Sequence, residues 1–294
     1  MVYIDSEGKV NDNTYLIDAM LYRLPHQMSI YVIENNGMRL LIDTGDSIAA
    51  NKIFRKLKEF NLLPIHKVLI THSHWDHFQG HEKLGKKLGD IEILASEHAI
   101  ENLKNPEKIN DVYNYEAPPI DNATPLKEGD IIDLNGFELE VLNLFGHTQD
   151  SIGLLDRINK NLFSGDAIPY RFEPESQVPN FMPPDFNETE LLKTFQKVRD
   201  MRDELDYISI DHFGVWKDED LTSMLENMEE FHFKTKNTMI EWYEKNPDIN
   251  ALTLKYHETF MPNSTIHTKD NVLGLELVIS WLIEGLKGSG FLSK

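Results

Sequence analysis

Residues 71–81 read THSHWDHFQGH, and six consecutive positions, His72 to His77, hold three histidines and one aspartate in a chain with 12 histidines in all. Imidazole and carboxylate are the side chains that hold zinc or iron. The order His-x-His-x-Asp-His therefore offers His72, His74, Asp76 and His77 as candidate ligands within one short loop. The loop follows HKVLIT (66–71), a β-branched and aliphatic run that predicts a strand. A strand running into a ligand-rich loop is where α/β proteins place their sites.

Around this stretch the chain alternates strand-like and helix-like patterns. MSIYVIE (28–34), MRLLID (38–43) and IEILAS (91–96) predict strands, and Asn36-Gly37 predicts a hairpin turn between the first two. ANKIFRKLKEF (50–60) repeats apolar residues at helical spacing. A second round has strands at DIIDL (130–134), FELEVLNLF (137–145), SIGLLD (151–156) and NLFSGD (161–166). A helix at ETELLKTFQKVRDM (188–201) and a strand at YISID (207–211) follow. Hairpins mixed with helices argue for two packed sheets flanked by helices, not for one doubly wound parallel sheet. From about residue 217 the strand signals stop. The predicted organisation is a catalytic domain over 1–217 and a helical C-terminal extension over 218–294. DVYNYEAPPIDNATP (111–125) and AIPYRFEPESQVPNFMPPDF (167–186) combine prolines with aromatics, a composition suited to ordered loops that line a pocket.

Three further stretches repeat the opening theme. LFGHTQDS, LFSGDAIP and SIDHFG each end an apolar strand in a Gly-flanked His or Asp, namely His147, Asp166 and His212. This ordered set, with LLIDTG at 40–45, resembles the metallo-β-lactamase superfamily over about residues 14 to 215. The resemblance implies an α/β (α+β) fold, a four-layer αββα sandwich with a metal site at one edge of the two sheets. It also implies that His72, His74 and His147 hold a first metal, that Asp76, His77 and His212 hold a second, and that Asp166 bridges them. Asp76 and Asp166 are then the candidate catalytic carboxylates, and Asp43 lies beneath the site and orients ligands. The implied cofactor is a pair of Zn2+ ions, with Fe or Mn as other candidates. The implied reaction is attack by a metal-bound hydroxide on a small ester, lactone or thioester. The helical tail resembles the C-terminal extensions of the glyoxalase II and β-lactamase-like endoribonuclease branches. Tyr170 and Phe172, shortly after Asp166, are candidate substrate contacts. His26, His66, His98, His232, His257 and His267 lie in no ligand-like setting, and His81 falls on the helix that follows the motif.

Composition narrows the alternatives. With no cysteine, any metal is bound by nitrogen and oxygen, and disulfides, thiolate nucleophiles and the β-lactamases that place Cys on the second metal are excluded. A net charge of −20 makes a nucleic-acid partner unfavourable, and the small-molecule carbonyl substrate expected as partner is what the resemblance implies. A zinc-dependent nuclease of the same fold remains the competing reading. A sulfur dioxygenase with a single iron is the other. The N-terminus shows no secretory pattern, so a cytoplasmic location is expected. VLGLELVISWLIEGL (272–286) is too short to span a bilayer and must be covered by the main domain or by another copy in a homo-oligomer. The tail contributes no candidate ligand, so its expected role is in stability or substrate choice.

Overall fold

The aliphatic runs at the centre of the chain are buried on both faces, as expected of strands covered by a sheet on one side and helices on the other. The computed structural model describes residues 3–268 and 270–293. It contains two seven-stranded sheets. One runs in the order Gly8–Lys9, Thr14–Asp18, Ser29–Asn35, Met38–Ile42, Lys67–Ile70, Glu92–Ser96, Thr124–Leu126. The other runs Tyr3–Ile4, Val215–Lys217, Tyr207–Ile210, Asn161–Gly165, Ile152–Asp156, Glu138–Asn143, Ile131–Asp133. Tyr31 of the first sheet joins them through its hydroxyl, 2.7 Å from the carbonyl of Ile210 and 2.8 Å from that of Gly214.

Helices cover the outer faces. Ala50–Glu59 and His81–Leu88 pack together on the side of the first sheet, and Glu188–Asp200 packs with Asp218–Lys245 on the side of the second. From Asp218 onward the described regular elements are helical: Asp218–Lys245, Ile249–Phe260, a 3-10 turn at Val272–Leu275 and Glu276–Gly288. The apolar stretch 272–286 is covered by the chain itself, with Ile279, Trp281, Leu282, Ile283 and Leu286 all in the core. Among the described residues no helix is long and apolar enough to cross a membrane.

Predicted strands and helices recur within a residue or two of their expected ends, but several short strands lie where none was predicted. Thr14–Asp18 carries a single polar-flanked aliphatic run, and Thr124–Leu126 contains Pro125, tolerated there because the strand sits at the sheet edge. The segment 167–186 is not wholly loop. Tyr170–Glu173 and Ser176–Val178 pair as a small hairpin, with Pro174 and Glu175 in the turn.

Every candidate ligand leaves the carboxyl end of a strand, the first sheet supplying residues 43 and 72–77 and the second 147, 166 and 212. The His147 loop is clamped from outside. Asn187, the N-cap of helix Glu188–Asp200, donates its backbone N–H to Gly146 O at 2.8 Å, and Thr194 Oγ1 donates to Phe145 O at 2.7 Å. Gly146 has φ 130°, and a Cβ there would stand 2.2 Å from Leu191 Cα. Gly85, within helix His81–Leu88, faces open space. Gly146→Ala should therefore destabilise the fold by about 2 kcal/mol in urea titrations, whereas Gly85→Ala should stabilise it by about 0.5 to 1 kcal/mol.

Candidate metal centre

Five imidazoles and two carboxylates converge where the ends of the two sheets meet. The donor atoms of His72, His74 and His147 lie within 4.8 Å of one another, as do those of Asp76, His77 and His212 and those of His72, His77 and Asp166. Asp166 Oδ2 is central: it stands 3.4 Å from His77 Nε2, 3.4 Å from His212 Nε2, 3.5 Å from His147 Nε2 and 3.9 Å from His72 Nε2. Asp76 Oδ2 is 3.5 Å from His212 Nε2, and His147 Nε2 is 2.9 Å from His74 Nδ1.

The outward nitrogen of each ring already has a partner, and this decides which nitrogen is left for a cation. His147 Nδ1–H donates to Asn180 O at 2.7 Å, and His212 Nδ1–H donates to Gln27 O at 2.6 Å. His77 Nδ1–H donates to Asp43 Oδ2 at 2.7 Å. Thr71 Oγ1 gives its proton to Asp43 Oδ2 at 2.7 Å and so accepts from His72 Nδ1–H at 3.1 Å. His74 is turned the other way: its Nε2–H faces Pro183 O at 3.1 Å and Tyr113 Oη at 3.2 Å, which leaves Nδ1 inward. Carbonyl and carboxylate partners of this kind fix the tautomer of metal-binding imidazoles and strengthen them as ligands.

The inward atoms fit a metal by a second criterion. His72 Nε2, His77 Nε2 and Asp166 Oδ1 are fully buried yet have no hydrogen-bond partner among the described residues. A buried polar atom left unpaired is costly, and a cation would satisfy all three. The electrostatics agree. Burial, reinforced by neighbouring imidazoles, pushes His72 and His74 well below the usual histidine range, and burial pushes His147 down as well, so these rings keep their lone pairs. Against burial, His212 and His77 hold the Asp166 carboxyl well below its usual range. Likewise against burial, Asp166 and Asp76 push His212 up to about 10, and the same carboxylates raise His77. The anionic carboxylates thus call for positive charge in the centre, from protons on His77 and His212 or from a metal that displaces them.

Behind the donors stands a polar brace that the sequence reading did not single out. Asp150 accepts from Ser73 Oγ at 2.6 Å, Thr148 Oγ1 at 2.6 Å and Asn102 Nδ2 at 2.9 Å. It ties the loop of His72 and His74 to that of His147, and its only signal was an acid three residues after His147 in HTQD. Asp211 Oδ2, 3.4 Å from His77 Nδ1, shares that ring with Asp43. His81 is half-buried with Nδ1 2.9 Å from Phe78 O, and His26, His66, His98, His232, His257 and His267 are likewise outside the clusters of possible ligands.

Above the donors opens a small, partly enclosed pocket, lined by His74, Asp76, Asp166 and His212 and by Tyr22, Trp75, Tyr113, Tyr170, Phe172, Met182, Val278 and Trp281 among others. Tyr170 and Phe172 thus stand beside the donors, with the Tyr170 ring 4.6 Å from that of His212. Tyr113 comes from the aromatic segment 111–125, expected to line a pocket, whereas Val278 and Trp281, from the tail, are not singled out by the sequence, because only the folded chain brings them here. Asp43→Ala should free the His77 ring and lower metal affinity about 10- to 100-fold, read by competition against a chromophoric chelator.

Comparison with known proteins agrees with this geometry. The family model described as Metallo-beta-lactamase superfamily matches residues 23–209. The hydroxyacylglutathione hydrolase GloC of Haemophilus influenzae is 31% identical over 134 residues, 44% of this chain and 60% of that protein. The acyl-coenzyme A thioesterase MBLAC2 of Homo sapiens is 23% identical over 180 residues, 54% of this chain and 64% of that protein. This chain therefore spans less than two thirds of either relative. A metallo-beta-lactamase family protein from Thermus thermophilus has the same fold, with a TM-score of 0.65 at 17% identity, covering 95% of this chain and 93% of that one. With strand-end donors from two sheets and a family match over well more than half its length, the chain belongs to the metallo-beta-lactamase superfamily.

Proposed function

We propose that this protein is a dinuclear metal-dependent hydrolase, with zinc as its resident ion, that cleaves a small carbonyl compound: a thioester, ester or lactone. The observation that carries the reading is the pair of donor triads, His72–His74–His147 and Asp76–His77–His212, with Asp166 Oδ2 between them at the floor of an apolar pocket. A donor set of imidazole and carboxylate, with no sulfur, suits zinc.

When bound, two such ions would supply Lewis acidity and an activated water at neutral pH. The chain supplies the rest. His72 Nε2, His74 Nδ1 and His147 Nε2 would hold one ion, while the Asp76 carboxylate, His77 Nε2 and His212 Nε2 would hold the other, with Asp166 within reach of both sets. Asp43 keeps the His77 proton on Nδ1. Tyr170 keeps its phenolic proton, because burial and then the nearby Asp166 charge push its pKa well above the usual value. That hydroxyl can donate to the substrate carbonyl oxygen as negative charge develops there. Phe172, Trp75 and Met182 exclude water and cover the acyl portion.

Thioesters lead the candidates because the curated relatives above are named for glutathione and coenzyme A thioesters. The nuclease reading loses support, since the pocket is lined by no Lys or Arg among the described residues and phosphate binding depends on such cations. The test compares the zinc-loaded protein on thioester, lactone and single-stranded RNA panels. Metal-dependent thioester or lactone hydrolysis, reduced at least about a hundredfold in Asp166→Ala, is the expected result. RNA cleavage lost in His72→Ala without any acyl hydrolysis would replace this reading with the nuclease. A single iron per chain with oxygen uptake in place of hydrolysis would replace it with the dioxygenase.

A further inference from the structure

Resting on the hydrolase reading above, we propose that helix Glu276–Gly288 is the specificity wall of the pocket and that Trp281 restricts the substrate to a short, neutral, apolar acyl group. Val278 and Trp281, one turn apart on that helix, both line the pocket. Gly285, one turn further along the same face, sets how close the helix comes. A Cβ there would stand 2.1 Å from Phe181 O, so the helix backbone rests directly on the segment that presents Met182 to the pocket and Pro183 O to His74. Glycine is a poor helix former, and its place in mid-helix is explained by this contact.

An aromatic chain runs from the helix to the donors. The Trp281 ring meets Tyr113 edge-on at 4.9 Å and lies 6.4 Å from Tyr115, which in turn stacks on Trp75 at 3.8 Å. Tyr113 Oη stands 3.2 Å from His74 Nε2. Trp281 thus lines the same space as the candidate metal ligands, one aromatic ring, Tyr113, away from His74. The lining includes no Lys or Arg among the described residues, and its polar groups beyond the candidate ligands are Gln27, phenolic hydroxyls and the indole N–H groups of Trp75 and Trp281. A carboxylate or phosphate carried to the Trp281 side of this space, away from the candidate metal ligands, would be buried without a Lys or Arg partner, whereas an alkyl chain would bury apolar surface.

The test measures kcat/KM of the full-length, zinc-loaded protein on neutral N-acetylcysteamine thioesters from acetyl to decanoyl, and on an acyl chain ending in carboxylate. Wild type should favour short chains and discriminate at least about tenfold against the terminal carboxylate. Trp281→Ala should move the optimum to longer acyl chains, raising the long-to-short ratio about tenfold or more, with metal content unchanged. Trp281→Phe should shift it less, and Gly285→Ala, which pushes the helix outward, should shift it in the same direction. Calorimetric titration with straight-chain methyl ketones reads the same wall without turnover. Wild type should show a chain-length limit that Trp281→Ala relaxes. An unchanged chain-length profile in both Trp281→Ala and Gly285→Ala, or a preference for the carboxylate-bearing chain, would overturn the proposal. Absence of thioester, ester and lactone cleavage together with a ketone limit relaxed in Trp281→Ala would overturn the hydrolase reading and support the wall.

Discussion

The Asp43 carboxylate accepts from Thr71 N at 2.8 Å, Thr71 Oγ1 at 2.7 Å and His77 Nδ1 at 2.7 Å, and this junction holds the donor loop to the sheet. Met38–Ile42 and Lys67–Ile70 are parallel neighbours, so the residues that follow them, Asp43 and Thr71, emerge side by side. Asp43 is held at φ 61°, a conformation that costs energy in a non-glycine residue and persists where the surroundings enforce it. Through Thr71 the same side chain reaches His72, so one buried aspartate sets the orientation of a ring from each triad. Asp150 does the corresponding work between the two sheets, linking Ser73 of one donor loop to Thr148 of another.

A centre built this way combines two opposed electrostatic demands. Burial favours neutral imidazoles, while Asp76 and Asp166 raise the proton affinity of His77 and His212. Divalent cations would reconcile the two, because they would neutralise the carboxylates while using the ring lone pairs that the outward hydrogen bonds have already oriented. The apolar cover above the centre strengthens such charge interactions by excluding water. The chain's net charge of −20 repels polyanions at long range.

Much of this was legible in the sequence for a local reason. Each candidate ligand ends an apolar strand, and HSHWDH packs four of them into one loop, so residue type and position carry the signal without knowledge of tertiary contacts. The two-sheet architecture was legible from the same strands, because runs buried on both faces are nearly continuous in aliphatic residues. What stayed hidden depends on packing across the chain. Asp150 is one acid in HTQD until folding sets it against Ser73, and Tyr113 reads as a loop aromatic until Pro183 and His74 stand beside it. The tail was legible as helical and as ligand-free, but Trp281 could not be placed at the pocket. That placement depends on the close seat of Gly285 on Phe181, which no periodicity encodes.

The measurement that bears most directly on the centre is anomalous diffraction at the zinc edge from crystals of the zinc-loaded protein. Two peaks are expected, one bounded by His72 Nε2, His74 Nδ1 and His147 Nε2 and the other by Asp76, His77 Nε2 and His212 Nε2, with Asp166 touching both. A single peak held by two histidines and one aspartate, or metal bound away from these residues, would contradict the dinuclear centre.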